Sequence, residues 1–294
     1  MPLTAGELTR GLVLRAAGVG AAGGLVAFVF ARIFAEPLIQ QGIDYEAGRA
    51  EAEAALAAAA GGAHDHGAPE IFSRAVQSSV GIGLGMVLFG LALGCFFGVA
   101  YCLALGRVGR VSARSLSLLV AGAGFLTLYL VPFLKYPANP PAVGNGATIA
   151  QRAGLYGVMV VACVVFAAAA LWLGHRLARR RGTWNATLLA GLAFAVAIGV
   201  VMALLPSLGS LAGNAGESGA LLTETPQPLR DPAGAVVYPG FDADVLYWFR
   251  LYAVLAQALL WGVIGVAFGP LAERLLGRSG EHGRAPDAVG APGR

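Results

Sequence analysis

Charged side chains are scarce in this chain of 294 residues, of which only 12% are Asp, Glu, Lys or Arg. A soluble globular domain carries about 25% charged residues. Hydrophobic residues make up 57% of the chain, and the mean hydropathy is +0.71. This composition excludes an ordinary soluble domain and predicts a chain that lies in a lipid bilayer.

Several sequence patterns that carry chemistry are also missing. The chain has no GxxxxGK[ST] phosphate-binding loop, no HExxH, no GxSxG and no pair of carboxylates within an apolar run. Its three cysteines, Cys95, Cys102 and Cys163, lie inside apolar runs without CxxC spacing. We therefore expect no enzyme, no ATP hydrolysis by this chain and no thiolate metal site.

Apolar runs long enough to cross a bilayer, about 20 residues each, occur six times. They lie near residues 11–34, 80–105, 116–134, 153–174, 186–205 and 251–269. Arg15 and Arg32 shorten the first run, but both can extend to the membrane interfaces. A cleaved signal peptide is the alternative for this run, although Ala35-Glu36-Pro37 is a poor cleavage site.

The basic residues predict the orientation of these spans. The N-terminus, the 106–114 and 175–185 loops and the C-terminal tail hold 13 of the 20 Lys and Arg residues. The loops 35–79, 135–152 and 206–250 hold 12 of the 16 acidic residues. By the positive-inside rule both termini are cytoplasmic, in an inner (cytoplasmic) membrane. Residues 1–278 form the membrane domain, and residues 279–294 are predicted to be a disordered tail.

The odd-numbered spans resemble one another, as do the even-numbered spans. Each odd span carries Ala-Gly 14 or 15 residues before a proline (Pro37, Pro137, Pro206), and each even span begins with an arginine (Arg74, Arg152, Arg250). The pattern predicts an all-α membrane protein of three tandem hairpins. Chance matches in a chain of biased composition are the alternative.

Glycines at four-residue spacing predict close helix packing. They are Gly20 and Gly24 in the first span, and Gly90, Gly94 and Gly98 in the second. Such spacing lets two helix backbones approach each other in lipid. A smooth glycine face along a permeation path is the alternative.

The stretch Lys135–Gly144 is the most distinctive feature of the sequence. It contains Pro137, Pro140 and Pro141 directly after the third apolar run. Proline lacks an N–H and disfavours helix in the residue before it, so the helix must end here. Irregular backbone at a membrane boundary must face water, pack against protein or line a cavity.

His64-Asp65-His66, with Glu70 nearby, resembles a metal site on an outside loop. Imidazole and carboxylate groups suit divalent transition metals. A chance run of His and Asp in a polar loop is the alternative.

Polar side chains near the outer ends of the spans are candidates for an outer mouth or a translocation path, because ionisable groups at membrane depth are costly. Interface anchoring and structural pairing are the alternatives. The candidates are Arg32, Glu36, Arg74, Gln77, Lys135, Tyr136, Asn139, Arg152, Tyr156, Arg250 and Gln257.

Motifs along nearly the whole chain resemble the predicted cobalt-transporter subunit family CbtA. They include Phe30-Ala-Arg-Ile-Phe-Ala-Glu36-Pro37, Ser73-Arg74-Ala-Val-Gln77, the Lys135–Gly144 turn and Phe249-Arg250-Leu251. The family often has an acidic residue shortly after the turn, where this chain has Asn145.

The resemblance implies a membrane protein of cobalt uptake with a small one-span, His-containing partner like CbtB. We expect a subunit for cobalt or a similar divalent ion, which is captured by the His loop and passes between the hairpins. We expect no permanently bound cofactor, no nucleic acid, and assembly with lipid and further copies of the chain. The alternative function is a non-transporting scaffold that binds a partner through its glycine-rich helix faces.

Overall fold

A computed structural model of the chain describes residues 4–61, 80–109, 111–214 and 224–281. Within these residues the chain is mostly helical, with one short antiparallel strand pair. The helices are α1 (Ala5–Phe34), α2 (Glu36–Ala59), α3 (Ile82–Ala104), α4 (Ala113–Lys135), α5 (Ile149–Leu204) and α6 (Ala243–Glu281). The strands are β1 (Leu229–Arg230) and β2 (Val236–Tyr238).

Five helical stretches of the described chain are long and apolar enough to span a membrane. They are Ala5–Phe34, Ile82–Ala104, Ala113–Lys135, Gly146–Asn214 and Ala243–Gly277. These stretches confirm a membrane protein built from helices. The fourth stretch contains both runs that we predicted as the fourth and fifth spans, so six spans in three hairpins remain a prediction.

Gly182 divides the longest helix. A straight helix of 56 residues would extend about 84 Å at 1.5 Å per residue, well beyond the ~30 Å hydrocarbon core. Gly182 has φ 72° and ψ 161°, a conformation inside α5 that residues with a Cβ avoid. The prediction of a basic loop at 175–185 is therefore wrong, because the residues on both sides of Gly182 are helical.

Three predicted boundaries also differ. The predicted outside loop 35–79 instead contains helix α2, which begins at Glu36 with Pro37 in its first turn. Within the predicted outside loop 206–250 lie the β1–β2 pair and the first residues of α6, which begins at Ala243. Helix α6 continues to Glu281, beyond the predicted start of the tail at 279.

The chain forms two compact units. Unit 1 comprises residues 1–30, 73–125 and 256–294, and unit 2 comprises residues 31–72 and 126–255. In unit 1, α1 packs against α3 through glycines, and α4 packs against α6. The Ser117 hydroxyl, which is fully buried, donates to the Gly265 carbonyl oxygen at 2.7 Å. Phe97, Tyr101 and Phe268 form an aromatic cluster with ring centroids 4.9–6.1 Å apart.

Unit 2 places α2 beside the strand pair. The Tyr45 ring packs on Tyr238 and Phe241, and its hydroxyl donates to the Pro239 carbonyl oxygen at 2.9 Å. The Nη1 of Arg49 donates to the Gln227 carbonyl oxygen at 2.7 Å. These contacts hold α2 next to the segment that follows residue 224.

Candidate functional site: a buried glutamate beside the proline-rich turn

Helix α4 ends at Lys135, as the prolines predicted. Its preceding turns are π-helical over Phe125–Leu130. Pro132 has no N–H to donate to the Leu128 carbonyl four residues earlier. The Tyr156 hydroxyl of α5 donates to that carbonyl oxygen at 3.3 Å. Tyr156 thus stabilises the irregular end of the helix.

Tyr136 anchors the start of the turn. It is only 4% exposed and packs on Met159, Cys163 and Ile198 of α5. Its hydroxyl donates to the Pro206 carbonyl oxygen at 2.9 Å. Burial raises the pKa of the Tyr136 phenol above its ordinary value, so the neutral donor form is favoured. The contacts give Tyr136 a structural role in unit 2.

Asn139 bridges an acid and an arginine. Its Nδ2 donates to Oε2 of Glu224 at 3.2 Å, and its Oδ1 accepts from Nη2 of Arg250 at 2.7 Å. The Nε of Arg250 also donates to the Ala138 carbonyl oxygen at 3.3 Å. One amide of the turn therefore connects the first turns of α6 to the loop after residue 223.

Glu224 is the centre of this network. Its side chain is only 1% exposed. Its Oε1 accepts from Nδ2 of Asn214 at 2.8 Å, and its Oε2 accepts from Nη1 of Arg152 at 3.4 Å as well as from Asn139. A buried carboxylate is costly unless it is paired and hydrogen-bonded, and this one has an arginine and two amides as partners.

Arg152 is held less tightly than Glu224. Its side chain is 26% exposed, and its distance to the carboxylate exceeds the 2.7–2.9 Å usual for a charge-assisted hydrogen bond. Its Nε is buried and has no hydrogen-bond partner among the described residues. The ion pair is therefore the longest of the contacts that Glu224 makes.

Gly144 lets the turn approach the ion pair. Its φ is +104°, and a Cβ there would overlap Nη1 of Arg152. Next to it, Asn145 accepts from the Ala147 N–H at 2.8 Å and donates to the Gly213 carbonyl oxygen at 3.0 Å. Asn145 thus caps the short helix before α5, and the acid of this region is supplied by Glu224 from a distant part of the sequence.

A cavity of about 380 Å³ opens next to this network in unit 2. Three carboxylates line it, together with one arginine and three side-chain amides. These side chains belong to Glu46, Arg49, Glu53, Asn145, Asn214, Glu224 and Gln227. Among the described residues, no three His, Cys, Asp or Glu side chains converge on one metal position. The cavity is therefore suited to a hydrated cation or another polar ligand rather than to an ion fully coordinated by carboxylates.

The structure brings together only some of the predicted residues. Asn139, Arg152 and Arg250 meet at Glu224, whereas Tyr136 and Tyr156 support the backbone. The Nζ of Lys135 lies 5.7 Å from the centroid of the Tyr136 ring. Arg32 is exposed, and Glu36 and Gln257 are half-buried. The candidates His64, Asp65, His66, Glu70, Arg74 and Gln77 lie outside the described residues.

The sequence interpretation did not single out Glu224, Asn214 or Arg49 for the site. Several acids occur in the same Gly- and Pro-rich segment, and no spacing distinguishes one of them. The sequence pointed to a buried acid only indirectly. Arg152 and Arg250 near the ends of apolar runs require a counter-ion, and the long acidic loop is the place to look for it.

A comparison with protein families identifies one model that covers most of the chain. Residues 9–273 match the family described as probable cobalt transporter subunit (CbtA). No curated protein and no solved structure gives a significant match. The matched range contains the proline-rich turn, α2 to α5, most of α1 and α6, and Glu224 with its partners. The chain therefore belongs to the CbtA family of probable cobalt transporter subunits.

Proposed function

We propose that this protein is the membrane subunit of an uptake system for cobalt or a similar divalent transition metal. The family supports a cobalt transporter subunit, and its membrane-length helices support a location in the membrane. The main structural support for an ion path is the buried Glu224 carboxylate beside a polar cavity. A cavity lined by three carboxylates attracts cations, and Glu224 is its buried member.

The proposed path begins on the outside loops. His64, Asp65, His66 and Glu70 capture the ion, since imidazole nitrogens and carboxylate oxygens suit cobalt. The ion then enters the cavity with water molecules attached, where Glu46, Glu53 and Glu224 attract it. The positive-inside rule places this cavity on the outer face, and both termini in the cytoplasm.

Arg152 is the proposed gate of this path. Arg152 contacts Glu224 at 3.4 Å, while Asn139 and Asn214 also hold the carboxylate. A cation that approaches Glu224 repels Arg152 and competes for the same carboxylate. Displacement of Arg152 would open passage between the predicted hairpins. The ion is a substrate in this proposal and not a resident cofactor.

A small one-span subunit like CbtB and further copies of this chain are the proposed partners in the inner membrane. The alternative is a scaffold that binds a partner through the glycines of α1 and α3. Gly20, Gly24, Gly90 and Gly94 pack against each other's helices within unit 1, so a partner would need another face. The transport proposal is therefore the better supported.

Uptake of labelled cobalt by cells that express the chain with its small partner tests this function. We expect faster accumulation than in cells that express the partner alone. Equal accumulation in the two strains, with the protein present in the membrane, would contradict the proposal and favour a scaffold.

Replacement of both loop histidines tests the capture step. His64→Ala/His66→Ala is expected to raise the cobalt concentration for half-maximal uptake about tenfold, the effect of losing about 1.4 kcal/mol of binding. The maximal rate should stay the same, because the capture site acts before transport. His175→Ala is the matched control, as His175 lies on the predicted cytoplasmic side. An unchanged half-maximal concentration would contradict capture by this loop.

A further inference from the structure

A second cavity, in unit 1, has a different chemistry. It has a volume of about 200 Å³ and lies between the N-terminal part of α1 and the C-terminal part of α6. Its lining consists of Arg15, Leu271, Arg274 and Leu275. Two cations and two leucines therefore face one space, and none of the described lining residues is acidic.

The acids on the neighbouring turns are bound to other groups. Oε2 of Glu273 accepts from Nε of Arg114 at 2.7 Å. Oε2 of Glu7 accepts from the Thr4 backbone N–H at 2.7 Å and from the Thr4 hydroxyl. The positive charge of the cavity is therefore not neutralised by its own lining.

A hydrogen bond fixes the position of the Arg15 side chain. It is half-buried, and its Nη1 donates to the Gly11 carbonyl oxygen at 2.9 Å. Leu275, only 7% exposed, packs over Gly11 and forms one apolar wall. A guanidinium has five donors, so the bond to Gly11 leaves the others for a ligand. Arg274, one turn before Arg278 on α6, is exposed and can reorient toward the same ligand.

Two arginines with apolar walls fit an anion that has several oxygens and an attached hydrocarbon. Guanidinium groups bind phosphate through paired hydrogen bonds. Basic pockets between membrane helices on the cytoplasmic side bind anionic lipid headgroups. The positive-inside rule places both Arg15 and Arg274 on that side, at the level where α1 enters the apolar run.

We propose that Arg15 and Arg274 form a binding site for a phosphate-bearing anion, which in the bilayer is the headgroup of an anionic phospholipid. Leu271 and Leu275 contact the adjoining acyl chain. The bound lipid connects the two ends of unit 1, because its phosphate contacts α1 and α6 together. This site is independent of cobalt and of the outer cavity.

Thermal unfolding of the purified full chain in a neutral detergent tests the site. Phosphatidylglycerol, phosphatidylcholine and inorganic phosphate are each titrated separately. We expect phosphatidylglycerol to raise the unfolding temperature at lower concentration than phosphatidylcholine. Arg15→Gln and Arg274→Gln should each weaken this effect about tenfold, or about 1.4 kcal/mol.

Arg107→Gln is the matched control. Like Arg15, Arg107 donates to a carbonyl oxygen four residues earlier, that of Leu103 in α3, at 2.7 Å, and it lies on the predicted cytoplasmic side. It should bind phosphatidylglycerol like the wild type.

Equal weakening by all three variants, or no preference for phosphatidylglycerol, would overturn the proposal. An equal response to inorganic phosphate would support the anion site and refute the lipid as its ligand. Arg274 is exposed, so Arg274→Gln provides the test if Arg15→Gln does not fold.

Discussion

Gly94→Leu is expected to eliminate most of the folded protein. A Cβ at this position would overlap the carbonyl oxygen of Ala16 and lie 3.0 Å from the Cα of Ala17. Both obstacles are backbone atoms of α1, so no change of side-chain rotamer relieves the clash. Forced separation of the helices should cost at least about 3 kcal/mol, a large part of a typical folding free energy. The measurement is the yield of monodisperse protein and its unfolding temperature in detergent.

Gly85→Leu on the same helix is the control. No heavy atom of the described residues lies within 4 Å of a Cβ at Gly85, and the residue is exposed. This variant should express and unfold like the wild type, because the added leucine faces outward. If Gly94→Leu were as stable as Gly85→Leu, the close packing of α1 against α3 would be incorrect.

Glu224→Gln is expected to abolish cobalt uptake while most of the protein remains folded. The glutamine has nearly the same shape and keeps a carbonyl oxygen that can accept from Asn214 or Asn139. It has no charge to attract the cation or to pair with Arg152. Glu224→Ala should also lose uptake and should destabilise unit 2 by about 3 kcal/mol, the lower end for breaking a buried pair. The smaller free-energy loss is expected because the Arg152 side chain is 26% exposed, so its charge remains partly solvated.

Glu273→Gln is the control for the loss of one acidic residue. Its ion pair with Arg114 lies on the surface, with side chains 37% and 64% exposed. Such pairs contribute about 0–1 kcal/mol. Uptake and stability should therefore be close to wild type. Normal uptake by a folded Glu224→Gln protein would refute the role proposed for this carboxylate.

Local chemistry allowed the helices to be predicted more closely than the site. Apolar runs marked the membrane-length helices, and the prolines after Lys135 correctly placed the end of α4. Residues 175–185 were predicted to form a loop because arginines cluster there. The structure is instead helical on both sides of Gly182. Arginines are good helix formers, so charge alone does not end a helix.

The site was less predictable because its members are distant in sequence. Arg152 and Asn139 were identified from their place near the proline-rich turn. Glu224, 72 residues after Arg152, comes close only through the folding of the segment between α5 and α6. No local periodicity encodes that contact. The pairing depends on which acid is buried, and burial is a property of the tertiary structure.

The central claim is that this chain carries cobalt across the membrane by way of Glu224. The most direct measurement is the accumulation of labelled cobalt in vesicles that contain the purified chain and its small one-span partner. We predict time-dependent accumulation above that of protein-free vesicles, and its loss with Glu224→Gln. Accumulation equal to that of protein-free vesicles, with both subunits folded and inserted, would contradict the account.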